Sequence, residues 1–305
     1  MNNVHDHSSA EHTHDASVLS GKKILWVTLL NALITATEIA GGLLSGSLSL
    51  LSDAVHNLSD TFAIALSYIA NRIAQKPKDA KRTYGYKRAE ILAAFVNSSV
   101  LMIISSALIV EAIRKFSSPE TIKGSLMIIV ASIGLVANLV SVFFLEKDSH
   151  ENLNIKSSYL HLLGDTVSSV GVLFAGIAIK LWGIVWIDPV VTLLISLYII
   201  KQTWQVIKKT VDILMQSSAV LDYEAIAKDV ETIPEVNNIH HVHSWMGNEK
   251  TIYFEAHVDM VDMTLCEADI ILDRIEHLLK DKYDVSHTTL QAEADRCPNK
   301  SLIRT

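Results

Sequence analysis

SLSLLSDAVHNLSDTFAIAL, residues 47–66, and YLHLLGDTVSSVGVL, residues 159–173, decide how this chain folds. Both are apolar enough to sit in a bilayer. Both also carry a His and an Asp four residues apart, His56 with Asp60 and His161 with Asp165. Residues four apart share one face of an α-helix, so each helix presents an imidazole beside a carboxylate. Where two such faces meet, two nitrogens and two oxygens converge. That four-coordinate set suits Zn²⁺, with bonds of ~2.0–2.2 Å. Mg²⁺ and Ca²⁺ favour oxygen throughout. The Irving–Williams order admits Cu²⁺, Ni²⁺ and Co²⁺ as well, which leaves part of the selection to geometry. In a soluble helix a His is usually a packed or solvated side chain. A membrane span reverses that balance, because an Asp at its centre costs at least ~3 kcal/mol.

Working outward, six segments have the ~20 apolar residues that a bilayer core of ~30 Å requires. They are roughly 24–45, 48–71, 89–111, 123–145, 158–180 and 187–207. The first, second and fifth carry polar or ionisable residues. Loop 72–88 holds Arg72, Lys76, Lys78, Lys81, Arg82, Lys87 and Arg88. With Lys22, Lys23, Lys147, Lys156, Lys208 and Lys209, that side has thirteen cations, against Arg114, Lys115, Lys123 and Lys180 on the other. The imbalance predicts a multi-pass protein of the cell membrane with both termini cytoplasmic.

The chain has 305 residues, half of them apolar and only 19% charged, against about a quarter in a typical soluble protein. The last hundred residues nevertheless read as ordinary soluble sequence. DYEAIAKDVETI predicts a short amphipathic helix. VNNIHHVHSWM and TIYFEAHVDM predict two strands with a turn at Gly247-Asn248. TLCEADIILDRIEHLLKDKY is helical by its apolar spacing and SHTTLQAE is a third strand. The order αββαβ fits a small α+β domain. The expected division is a His-containing disordered cytoplasmic tail at 1–21, six transmembrane helices at 22–209, and a cytoplasmic α+β domain at 210–305. Cys266 and Cys297 form no C-x-x-C pair, which argues against a zinc ribbon or a thioredoxin-like site. A net charge of −7 gives no sign of nucleic-acid binding. MNNVHDHSSAEHTHD does not look like a secretory signal peptide.

EIAGGLLSGSLSLLSDAVHNLSD, YGYKRAEILAAFVN, the second His–Asp pair and IHHVHSW together resemble the cation diffusion facilitator family, over about residues 20–295. The resemblance implies six helices with a metallochaperone-like cytoplasmic domain, a homodimer, and export of divalent metal from the cytoplasm, commonly against protons. It places the transport site on His56, Asp60, His161 and Asp165, and implies Zn²⁺ as the chief substrate, with Cd²⁺ or Co²⁺ also carried by some members. A regulatory metal at the dimer interface is implied at His240 and His257, with His287 or Glu293 near the third strand. Some members carry metal on the second loop. Asp79 remains here, but Arg82 and Tyr86 stand at the other positions, so no metal is expected there. The loop 146–157 is short, with only His150, as in compact bacterial exporters.

Strand alternation puts His241 and His243 on one face and His240 on the other. His5, His7, His12 and His14 either hold metal loosely or belong to a solvated tail. Asp53 is expected to line the approach to the quartet. Glu38, Asn31 and Asn138 read as helix–helix hydrogen bonds or as path residues. A membrane metalloenzyme would need more His, in HxxxH or HxxHH clusters, and no Ser/His/Asp arrangement or phosphate loop is present. A membrane-bound metal sensor would leave the quartet unexplained. The sequence thus reads as a secondary active transporter and not an enzyme, with protons or K⁺ as the counter-ion.

Overall fold

The computed structural model describes residue 29 and residues 31–149, 153–296 and 301–302. His5, His7, His12, His14 and His150 lie outside them. Contacts divide the chain into two units. One takes the described residues up to Leu66 together with Asn97–Gln205. The other takes Ser67–Val96 and the described residues from Val206 onward.

The helical part comprises α1 (31–45), α2 (Leu48–Ala74), α3 (Arg88–Ser117), α4 (Gly124–Ser149), α5 (Leu153–Trp182) and α6 (Ile187–Leu214). Residues of α3, α4, α5 and α6 form spans long and apolar enough to cross a membrane. α2, at 27 residues, has the length. Asp53, His56, Asp60 and its serines dilute its hydropathy, so the residues that matter most are those that hide the span. α1 is described over 15 residues only.

Burial in the first unit is inverted relative to a water-soluble protein. Ser49, Ser52, Asn57, Asn138, Ser169 and Thr192 are buried, while Ile103, Phe143, Phe144, Val167, Phe174 and Leu197 face outward. Lipid solvates the apolar exterior, and polar groups must find partners inside. Met127, Val130 and Ala131 of α4 pack with Val172, Ala175 and Ile179 of α5. Close approach matters at Gly134 on α4, where a Cβ would lie 2.5 Å from Glu38 Oε1 of α1.

The start of α2 is held by one buried carboxylate. Asp188, in the first turn of α6, accepts hydrogen bonds from Ser47 Oγ (2.6 Å), Leu48 N (2.8 Å), Ser49 N (3.2 Å) and Ser49 Oγ (2.6 Å). Two of these donors are backbone N–H groups at a helix start, which have no partner within the helix. The negative charge also suits the positive end of the helix dipole.

In the second unit, α7 (Tyr223–Val230) precedes β1 (Val236–Asn248) and β2 (Thr251–Met260), which pair antiparallel. α8 (Leu265–Tyr283) then crosses over to β3 (His287–Glu293), which runs parallel to β2. The sheet order is β1-β2-β3, as αββαβ implied. α8 starts with a capping box, Thr264 with Glu267. Ile226, Val230, Ile239, Phe254, Ile275 and Leu279 form its core. The hairpin turn falls later than expected. β1 and β2 stay paired to Asn248↔Thr251, so Glu249 and Lys250 make the turn. Asn248 Oδ1 accepts from Lys250 N (3.1 Å) and Thr251 N (2.9 Å), an Asx turn. Gly247 serves packing instead, since a Cβ there would meet Tyr253 Cε2 at 2.6 Å.

Asp188→Ala is expected to leave four buried donors without their acceptor and to destabilise the protein by at least about 3 kcal/mol. The measurement is the thermal unfolding midpoint of the full chain in detergent, which should fall well below wild type.

Candidate metal centre

α2 and α5 carry the quartet. His56 Nε2 lies 3.2 Å from Asp165 Oδ1, and His161 Nε2 lies 3.0 Å from Asp60 Oδ2. Numbers rise along α2 as they fall along α5, so the helices meet antiparallel. The contacts within each helix are longer: His56 Nε2 to Asp60 Oδ2 is 3.9 Å and His161 Nε2 to Asp165 Oδ2 is 3.8 Å. One donor atom from each residue lies within 4.8 Å of all the others. A tetrahedral ion with bonds of ~2.0–2.1 Å needs donors about 3.3 Å apart. The contacts of 3.0–3.9 Å fall near that value, while the group as a whole spreads to 4.8 Å, so the side chains must draw together to complete a shell. The two imidazole rings stand 5.4 Å apart at 70° and present nitrogens instead of stacked faces.

The four side chains are not equally covered. Those of His56 and Asp165 are 9% and 2% exposed, those of Asp60 and His161 26% and 40%. The open pair sits further along α2 and earlier along α5, toward the C-terminal end of α2 and the N-terminal end of α5.

The polar residues around the quartet tie helices together. Asn57 Nδ2 donates to Glu38 Oε2 (2.8 Å), joining α2 to α1. Asn138 Nδ2 donates to Ser169 Oγ (3.2 Å), which donates to Asp53 Oδ2 (3.1 Å), joining α4, α5 and α2. Asp53 is 1% exposed and belongs to this network. Asp188 was not legible as a site residue. Its signal, an Asp opening an apolar span, resembles any helix start.

A second cluster forms on the sheet from His240, His257 and Glu293. His257 Nδ1 lies 2.9 Å from Glu293 Oε1, and His240 Nε2 lies 3.5 Å from Glu293 Oε2. His240 is 1% exposed, and neither of its ring nitrogens has a hydrogen-bond partner. An imidazole so placed has ring nitrogens available to a metal.

The structure corrects two expectations here. His287 does not join the cluster. Parallel pairing sets it opposite Tyr253, while Gln291 stands opposite His257. Its ring lies 5.9 Å from Tyr253 instead. Simple alternation also fails. β1 is irregular between His240 and His243, and His241 adopts a left-handed φ of 51°. The bulge brings His241 Nδ1 to 3.2 Å from His257 Nε2, while His240 contacts the same ring at a centroid distance of 5.5 Å. His241 was thus missed as a neighbour of the cluster.

On the loop 75–87, Asp79 accepts from Tyr86 Oη (2.5 Å) and from the backbone N–H groups of Lys81 and Arg82, both 2.8 Å. The Tyr86 hydrogen bond and these N–H groups hold its carboxyl below the usual range. Here Asp79 shapes the loop.

Two His and two Asp brought together between apolar helices form a group that could hold a metal ion. Residues 24–215 match the cation efflux transmembrane domain, and residues 220–295 match the cytoplasmic domain of cation efflux proteins. The zinc transporter ZitB of Escherichia coli is 36% identical over 300 residues, covering 97% of this chain and 94% of that protein. The metal cation efflux system protein CzcD of Cupriavidus metallidurans is 33% identical over 290 residues, 94% of this chain and 91% of its own. A Bacillus subtilis protein named a cadmium, cobalt and zinc/H(+)-K(+) antiporter is 35% identical over 291 residues, 93% and 92% of the two chains. The chain belongs to the cation efflux family of membrane transporters. It is a multi-pass transporter, not an enzyme.

Replacing Asp60 by Asn removes one anionic ligand while keeping its size. Calorimetric titration of the full chain with Zn²⁺ is expected to show the quartet's binding weakened by at least about tenfold.

Proposed function

We propose that this chain exports Zn²⁺ from the cytoplasm, binding it at His56, Asp60, His161 and Asp165 and releasing it in exchange for protons. The observation that carries this is the convergence of four donors, all within 4.8 Å of one another, on two apolar helices. Burying two carboxylates at such depth is costly unless a cation repays it. The relatives named for zinc transport and for antiport support the choice of substrate and counter-ion.

The exchange follows from ligand chemistry. Binding needs neutral imidazoles and ionised carboxylates, so metal entry displaces protons, and protons returning to the same atoms displace metal. Asp60 and His161, the more exposed pair, receive the ion first, and His56 and Asp165 complete the shell. The cation imbalance of the loops supports a cytoplasmic open side and cytoplasmic termini, and on that reading this arrangement is the inward-facing one. Outward release requires α2 and α5 to expose the other side, the rocking of alternating access.

The domain division follows the same reading, with six spans over 22–209 and a cytoplasmic domain over 210–305 that pairs two chains. His240, His257 and Glu293 bind a regulatory Zn²⁺ there. Its first ligand is pre-positioned, since His240 is buried without hydrogen-bond partners.

Zn²⁺ flux into liposomes carrying a Zn²⁺-sensitive dye tests the transport reading. With the lumen made acidic, protons leaving through the wild-type protein should drive Zn²⁺ into the liposomes. Asp165→Ala should abolish flux while the protein still inserts; wild-type flux in that variant would remove the quartet from the mechanism. His257→Ala should lose one equivalent of bound Zn²⁺ per chain by metal analysis and keep the quartet's equivalent.

A further inference from the structure

A cavity of about 280 Å³ lies in the second unit, where the loop 75–87 and the first turn of α3 face the sheet. Lys81, Arg82, Lys87 and Arg88 line it on one side, Trp245 and Tyr253 on the other. The aromatic wall is rigid. Trp245 and Tyr253 stack at 5.3 Å and 17°, and Tyr84 meets Tyr253 edge-on at 5.0 Å and 81°.

The four cations have little negative charge to answer them. Among the described residues, Lys and Arg form ion pairs at Arg114, Lys115, Lys209, Arg274 and Lys282, none of which lines this cavity. Lys87 Nζ donates only to a neutral group, Thr251 Oγ1, at 3.0 Å. Arg82 lies over the Tyr86 ring at 4.8 Å. Asp79 accepts from the loop's own N–H groups and Tyr86 while attracting Arg82, and Glu90 accepts from Asn248 Nδ2 at 3.0 Å. Four cations against aromatic rings, none of them in a salt bridge among the described residues, match a phosphate-bearing anion.

Position selects the source of that phosphate. α3 has 30 residues, about 45 Å at the helical rise, against a hydrocarbon core of ~30 Å. Its first turns therefore stand at headgroup level. Arg88, Leu92 and Val96 are spaced four apart, so they form one stripe along the helix. Leu92 and Val96 are 50% and 52% exposed. An acyl chain lying along them delivers its headgroup to Arg88 and Lys87.

We propose that this pocket is a binding site for the headgroup of an anionic phospholipid, fixing the loop between α2 and α3 to the sheet. Trp245 is the reporter. The full chain in neutral detergent would be titrated with short-chain phosphatidylglycerol, short-chain phosphatidylcholine and sodium phosphate while tryptophan fluorescence is followed. A saturable change with phosphatidylglycerol alone is expected, absent in Trp245→Phe. Lys87→Gln with Arg88→Gln should shift its midpoint about thirtyfold, at ~1 kcal/mol per basic residue. The double variant Lys208→Gln, Lys209→Gln removes equal charge outside the pocket and should leave the midpoint in place. Equal responses to both lipids, or a response surviving in Trp245→Phe, would overturn the proposal. Sodium phosphate acting as strongly as phosphatidylglycerol would also overturn it, by assigning the pocket to a soluble phosphate.

Discussion

Everything in the helical part follows from placing two carboxylates and two imidazoles at the meeting of α2 and α5. A charge in hydrocarbon is tolerated only where other polar groups or a cation answer it. The His–Asp spacing answers it in two ways. Antiparallel packing pairs each Asp with the His of the opposite helix at 3.0 and 3.2 Å, and the same four atoms can surrender those contacts to one divalent ion.

That constraint spreads to the neighbours. Asn57 and Glu38 lock α1 to α2, and the chain Asn138–Ser169–Asp53 locks α4, α5 and α2. Asp188 fixes where α2 begins through four hydrogen bonds, which sets the depth at which His56 and Asp60 stand. The interior thus holds several interhelical polar clusters wrapped in apolar side chains, and the quartet sits among them with limited freedom. Limited freedom suits the proposed transport site: donors already gathered within 4.8 Å of one another lose less entropy on binding, while the uneven cover of the two pairs leaves one side more open.

The sequence showed most of this because helical spacing is short-range. HxxxD puts both ligands on one face whatever the tertiary structure, and six apolar runs with cationic loops state a membrane protein plainly. What it hid depended on local backbone departures or on partners far along the chain. The φ of 51° at His241 breaks the strand's alternation, and no residue pattern marks it. The register of β3 on β2 put His287 opposite Tyr253, away from His257; the crossover through α8 decides that register. Gly247 looked like a turn residue but makes room for the Tyr253 ring, and the turn moved to Glu249 and Lys250. Asp188 acts on residues some 140 positions earlier, a relation that only the fold reveals.

On the proposed mechanism, two imidazoles and two carboxylates from α2 and α5 together hold the ion. Zinc K-edge X-ray absorption on the full-length His257→Ala protein, loaded with one equivalent of Zn²⁺, tests it most directly. Four nitrogen and oxygen neighbours at about 2.0 Å, with outer-shell scattering from two imidazoles, is the predicted spectrum. A sulfur neighbour near 2.3 Å, or a shell with no imidazole signature, would contradict it.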